Sequence, residues 1–548
     1  MSEESVDVQA AHDALRRHEW DHARALFLAA GDSRPLTADD SYGLATADWW
    51  LGLVRDALSA YEQAYVGYLG QKRPDRAALA AFDIAGSLFL RGDHVQGSGW
   101  MSRFNRILHD LPEGVVHSYA RWVELDGRSA DLDVDDALAA ARRLHADGVR
   151  YADLDLCTLA LMLEGRILVR HGRVDAGMSV LDEAMLTAGS GRMDPGYAGN
   201  VYCNLVAACH EVLDIGRMRE WTAALARWCE SLPPAVLFTG ICRVHRAQLL
   251  QMGGDWEGAE REAAQVCAEL TDIQVSSVAE AHYAIGEIRL LRGDLTGAEE
   301  QLQRADKLGR DPQPALSLVR LAQRDIAGAA TMIDTALAAV SGRPPARARL
   351  LSAQVEITVA GGDLDRADRA AEELERIADV YSTAGLRGLA AQARGAVLVA
   401  HGAAEQALPI LHTAWRTWQE LGAPFPAARV RLLIAQARTG LGDVTGAVNA
   451  LEAAAEVFAR LGAVPDARLA SSRRPSRPLP DGLTEREAQI LDLVAAGRTN
   501  QQIGRELSIS HKTVARHLSN IFTKCGFVTR TAAAAYVFEH GLSDPVAR

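Results

Sequence analysis

Cysteine is scarce in this chain: seven in 548 residues, an odd number, at positions 157, 203, 209, 229, 242, 267 and 525, with no C-x-x-C among them. Such scatter argues against a disulfide framework and fits a reducing compartment. Long apolar runs are missing too, none approaching the ~20 residues that span a bilayer. The start, Met1-Ser2-Glu3-Glu4-Ser5, lacks the basic-then-apolar order of a secretory signal. Together these absences predict a cytoplasmic protein with no membrane association. No G-x-x-x-x-G-K-[ST] occurs, which excludes the usual phosphate-cradling loop. No nucleophile–base constellation emerges, so neither catalysis nor a cofactor is expected.

Charge is present but unevenly shared. The whole chain carries −13. From Arg468 to Arg548 there are twelve Lys/Arg against seven Asp/Glu, or +5, which leaves −18 for the remainder. A basic end on an acidic body confines nucleic-acid contact to that end.

Within the acidic body one phrase returns: glycine, an acidic residue, a few spacers, then a small residue opening a helix. It reads Gly254-Asp255-Trp256-Glu257-Gly258-Ala259, Gly293-Asp294-Leu295-Thr296-Gly297-Ala298, Gly362-Asp363-Leu364-Asp365-Arg366-Ala367, Gly402 with Ala407, and Gly442-Asp443-Val444-Thr445-Gly446-Ala447. Successive glycines are 39, 69, 40 and 40 residues apart, and the long step holds a degenerate copy at Arg324-Asp325. Weaker copies start at Gly92, Gly172 and Gly216, and His18-Glu19-Trp20 begins the series. The pattern predicts antiparallel helix pairs. Glycine ends one helix in a left-handed conformation, the acid caps the next, and each pair buries its apolar face by stacking on its neighbours. This pattern resembles tetratricopeptide repeats, in the longer-period form of MalT-like regulators.

After residue 468 the rhythm breaks. Residues 469–482 hold three prolines, three serines and three arginines, a composition expected of a semi-extended linker. Its arginines are candidates for contact with a DNA backbone or minor groove, against the plainer reading of a spacer.

From Leu483 onward local signals are dense. Thr484-x-x-Glu487 and Thr499-x-x-Gln502 have capping-box spacing, Gly497 is placed to stop the first helix, and Ser508-Ile509-Ser510 makes a turn before the third. Gly504 falls where two helices cross. At about 100° per residue, Val514, Leu518, Ile521 and Cys525 share an inward face. Lys512, Arg516, Ser519 and Thr523 lie opposite, flanked by Ala515 and Asn520, and no acid occurs from Ser508 through Phe538. Phosphates and base edges call for such a face.

These residues carry a family resemblance. Leu483-Thr484-x-Arg486-Glu487, Gly497-x-x-Asn500-x-x-Ile503, Leu507-x-Ile509-Ser510, Lys512-Thr513-Val514-x-x-His517 and Lys524-x-Gly526 with Arg530 resemble the LuxR-type helix-turn-helix domain, a four-helix unit. The resemblance implies that the helix from His511 to Lys524 enters the major groove and that the last helix pairs two copies on DNA. It further implies backbone contacts from Lys512, Thr513, His517 and Lys524, and base-facing positions at Ala515, Arg516 and Ser519. Ser510 and Asn520 complete the expected DNA-binding set. His511 stands where an acid is usual and Ala515 where a polar reader is common, which shifts discrimination toward Arg516.

Three other constellations have plainer readings than a site. His18 and His22 share a helix face but lack a third ligand, so no metal site is expected. Trp49-Trp50 reads as core before ligand surface. The acidic run 131–136 reads as a capped helix start before a cation seat.

The expected architecture is thus all-α: a helical-repeat superhelix (1–468), a linker (469–482) and a four-helix helix-turn-helix domain (483–548). The expected function is a transcription regulator that binds double-stranded DNA as a homodimer. Its array would sense a small-molecule effector or dock a protein partner. The alternative is an interaction scaffold whose repeats recruit or autoinhibit.

Overall fold

The computed structural model describes residues 3–129, 132–231, 236–271, 273–473 and 480–540. Among them every regular element is a helix and no strand occurs. None of these helices is long and apolar enough to cross a membrane. The chain divides into two compact units, Met1–Ser472 and Arg473–Arg548.

Among the described residues, most helices of the first unit are joined through a left-handed residue. In its last third these joints fall at Gly362, Ser382, Gly402, Gly422, Gly442 and Gly462, all at φ between 51° and 78°. The spacing is 20 residues per helix, hence 40 per pair. The sequence phrase marked alternate joints, with aspartate after Gly362 and Gly442 and with Ala403 after Gly402, where only the glycine and the later Ala407 carry the mark; Ser382 and Gly422 were not marked. A glycine accepts positive φ without the Cβ penalty. The next residue then caps. Asp255, Asp294, Asp363 and Asp443 each accept from the backbone N–H three residues on, at 2.8–3.2 Å. The degenerate copy keeps the same device, with Arg324 itself at φ 70° and Asp325 accepting from the Gly328 N–H at 2.9 Å.

Two weak copies differ from expectation. Gly216 lies inside the helix Ile215–Ser231, and Leu213 at φ 54° makes the joint instead. Gly92 is left-handed, yet Asp93 makes no side-chain cap.

Small residues after each joint bring the paired helices together: Ala259, Ala298, Ala367, Ala407 and Ala447 are fully buried. Stacking on neighbours is only part of the packing, which corrects the simple linear picture. Helices from the middle of the array also meet helices from its last third. The Thr383 hydroxyl donates to the Val212 carbonyl, and Arg219 donates to the Leu421 carbonyl at 3.0 Å. Trp256 meets Phe425 edge-on at 5.5 Å. A Cβ on Gly385 would stand 2.4 Å from the Leu213 carbonyl oxygen, so the backbones touch there. One core cluster accordingly joins Trp122–Leu225 to Ala329–Val397.

Trp50 is buried and stacks on Trp20 at 5.0 Å, consistent with core. His18 stacks on the same Trp20, and no metal-binding cluster occurs among the described residues. Asp133 caps the helix Val134–Tyr151 through the Asp135 N–H, while Asp131 lies outside the described residues. All seven cysteines are free thiols. The helix Val464–Ser472 runs four residues into the stretch assigned to the linker. Leu469-Ala470-Ser471-Ser472 has no helix breaker, and the buried Ala470 anchors it. Arg474 and Arg477 lie outside the described residues.

Candidate nucleic-acid interface

Among the described residues the second unit has four α-helices, Glu485–Ala495, Asn500–Glu506, His511–Cys525 and Arg530–Glu539, after a 3-10 turn at Pro480–Gly482. Each begins on a hydroxyl. Thr484 and Thr499 form full capping boxes with Glu487 and Gln502, and Ser510 and Thr529 accept from the Thr513 and Ala532 N–H groups at 3.1 Å. A hydroxyl that satisfies an orphan N–H fixes where its helix starts. Gly497 at φ 76° ends the first helix, and Ser508 at φ 54° turns the chain between the second and third. At that turn a Cβ on Gly504 would lie 2.7 Å from the Ile509 carbonyl oxygen, so glycine lets the two helices cross tightly.

Val514, Leu518 and Ile521 hold the third helix on a core with Ile490, Leu491, Val494, Ile503 and Val537. Cys525 is half-buried against that core, and burial pushes its thiol up, which suits packing better than reactivity. The opposite side of the helix is open. His511, Lys512, Ala515, Arg516, Ser519 and Asn520 are exposed, with Thr513 and His517 at the margins. Lys512 and Arg516 make no ion pair among the described residues. Their charge faces outward from a helix with no acid in it.

Other cations are spent inside the unit. Lys524 places its Nζ 2.7 Å from Glu487 Oε2 and donates to the Gly482 carbonyl at 3.2 Å. Its expected contact with the DNA backbone is a separate role, and 38% of the Lys524 side chain stays exposed. Burial alone would push the Glu487 carboxyl up. Hydrogen bonds from Lys524 and from the Thr484 backbone and hydroxyl outweigh it and hold the group below the usual range. Arg486 donates to the Leu507 carbonyl at 2.7 Å, and Arg530 to Asn500 Oδ1 at 2.9 Å and the Arg498 carbonyl at 2.5 Å. Tyr536 donates to Asp481 at 2.6 Å. These ties clamp the helix ends that aim the third helix. Spacing tied Glu487 to Thr484, and the resemblance named Arg486, Lys524 and Arg530 without revealing these partners within the domain. Nothing in the sequence pointed to the Tyr536–Asp481 pair.

Two short capped helices crossing at a tight turn, the second offering a basic outer face, define a helix-turn-helix domain. Residues 481–537 match the family described as bacterial regulatory proteins, luxR family. Over 62 residues the chain is 47% identical to the transcriptional regulatory protein LiaR of Bacillus subtilis. Over 60 residues it is 48% identical to the response regulator protein VraR of Staphylococcus aureus. Each alignment takes in 11% of this chain and 29% of the relative, so the chain spans under a third of the curated relatives it matches. The C-terminal unit is therefore a LuxR-type helix-turn-helix domain. Among solved structures, a Rap protein complexed with competence and sporulation factor is similar at 12% identity and a TM-score of 0.39, over 58% of this chain and 96% of that one.

Proposed function

We propose that this protein is a sequence-specific transcription regulator that binds double-stranded DNA as a homodimer. On this reading its repeat array senses a small effector or docks a partner, within the cytoplasm. The observation that carries the DNA reading is the acid-free outer face of His511–Cys525, with Lys512 and Arg516 unpaired. Arg516 and Ser519 face base edges, Ala515 leaves room beside them, and Lys512, Thr513 and His517 hold the phosphate backbone. Ser510 and Asn520 flank that surface. Lys524 contributes by fixing the helix through Glu487. Paired domains would read half-sites about one helical turn apart.

The test starts from an operator selected from random duplexes with the purified protein. Arg516→Ala should flatten discrimination at its base position by roughly 1–3 kcal/mol, or about 5- to 160-fold. Lys512→Ala should weaken binding to all duplexes alike and lower the log–log salt slope by about one unit. If both variants bind the selected operator as the parent does, this face is not the reader.

A further inference from the structure

A half-open cavity of about 270 Å³ lies in the array, where helices of its middle meet helices of its last third. Drug-sized ligands occupy roughly 300–1,000 Å³, so this space suits something smaller. Its polar lining is unusual in leaving two opposite charges open.

Four ionic side chains reach the cavity, and two of them satisfy each other. Arg310 bonds Glu280 at 2.6 Å and stacks on the Tyr283 ring at 4.1 Å. The other two do not pair. Arg349 donates to His210 Nε2 at 2.9 Å and has no carboxylate partner among the described residues. Burial, then the neighbouring guanidiniums, keep His210 well below its usual range, so it is a neutral acceptor and leaves the Arg349 charge uncancelled. Glu287 accepts from Tyr283 at 3.1 Å and from Gln251 at 3.3 Å, with no cation in ion-pair contact. Beside them the Gln248 carbonyl oxygen is buried without a hydrogen-bond partner. A buried acceptor left unmade is costly unless something donates to it. The rest of the wall is apolar, with Met252, Trp256, Leu389 and Phe425.

We propose that this cavity binds a small zwitterion of the amino-acid class. Its carboxylate takes the open guanidinium of Arg349. Its ammonium takes the carboxylate of Glu287, which has only neutral donors. An apolar side chain lies against Trp256 and Phe425. The proposal rests on the sensing role given to the array, and it makes that role specific. Because elements distant in sequence converge here, an occupant would clamp the two parts of the array together.

The test uses the full chain with L-leucine, L-methionine and L-phenylalanine as probes, read by calorimetry and thermal shift. N-acetyl-L-leucine and L-leucinamide serve as single-charge controls. At least one free amino acid should bind and raise Tm, and capping either end of it should weaken binding by roughly 30-fold or more, the effect of leaving one charge unpaired. Glu287→Gln should lose the zwitterion yet accept N-acetyl-L-leucine. Arg349→Gln should lose the zwitterion and the acetylated form alike. The exchange of preference in Glu287→Gln separates a binding role from a structural one, and it stands even if Arg349→Gln fails to fold. If no free amino acid binds, or capped forms bind equally well, the proposal is overturned while DNA recognition stands. If a zwitterion binds with the expected selectivity and operator affinity stays constant, the site stands and the sensing role falls.

Discussion

The array and the C-terminal domain use the same cationic side chains toward opposite ends. In the array, arginines bridge helices. Arg394 holds Asp368 and Glu375 at 3.1 and 2.7 Å, and Arg429 holds Glu356 and Asp466 at 2.7 and 3.0 Å. Each such cation sits between carboxylates and is unavailable to anything else. In the domain, Lys524, Arg530 and Arg486 are likewise tied down, but Lys512 and Arg516 are left open on an acid-free face. A cation that contributes nothing to its own fold must be justified by something outside it. Pairing, more than net charge, therefore separates structural cations from functional ones.

The largest effect should come from removing a bridging cation. Arg429→Met leaves Glu356 and Asp466 facing each other without a counterion. Breaking a buried ion pair costs about 3–5 kcal/mol. The cost here falls below that range, because Glu356 keeps 41% and Arg429 29% of their side chains in water and only Asp466 is buried. Chemical denaturation should show the array destabilised by about 2 kcal/mol, with operator affinity of the folded protein unchanged. Lys512→Ala and Arg516→Ala should do the reverse, moving stability by no more than about 0.5 kcal/mol while DNA binding drops. Melting losses as large as that of Arg429→Met would erase the contrast.

Lys524 sharpens the comparison because family resemblance and structure assign it differently. As the partner of buried Glu487 it is structural, and Lys524→Ala should cost the domain roughly 1 kcal/mol, discounted for the exposure of the amine. The pH dependence has a fixed sign. Glu487 titrates below its ordinary range in the fold. Its contribution is therefore present above the ordinary glutamate range and lost as pH falls through the lowered value. Acid unfolding of the domain followed by near-ultraviolet circular dichroism should show this loss, and Lys524→Ala should make it shallower. An unchanged acid profile with weaker DNA binding would return Lys524 to the phosphate backbone.

The two regions were unequally legible in the sequence. In the domain, caps and turn residues sit where elements begin, so Thr484, Thr499, Ser510 and Gly497 could be placed from spacing alone. The third helix showed its inward face by periodicity. In the array, recurring glycines, most of them followed by aspartate, revealed alternate joints. Joints lacking the tag, such as Ser382, stayed hidden because a left-handed serine leaves no compositional mark. Hidden too were contacts between distant helices, such as Thr383 with Val212, for which 171 residues of separation offer no periodic signal. The cavity lined by Arg349 and Glu287 belongs to that class. Each side chain alone reads as a solvated charge, and their relation exists only once the array closes on itself.

The smallest expected effect concerns the joints themselves. Arg324 adopts φ 70° where other copies place glycine, and Ser508 adopts φ 54° in the turn of the domain. Left-handed backbone costs a non-glycine residue roughly 1–2 kcal/mol. Glycine removes that strain but adds unfolded-state freedom of roughly 0.5–1 kcal/mol. Arg324→Gly should therefore gain up to about 1 kcal/mol, read as a higher Tm by scanning calorimetry. Asp325 continues to cap the following helix in that variant, so the gain reports the joint alone. Ser508→Gly should gain a similar amount in the domain. Equal gains would mean that the two regions share one joint chemistry and differ in how they use charge. A gain confined to Arg324 would mean that the tight crossing at Gly504 already holds Ser508 without strain.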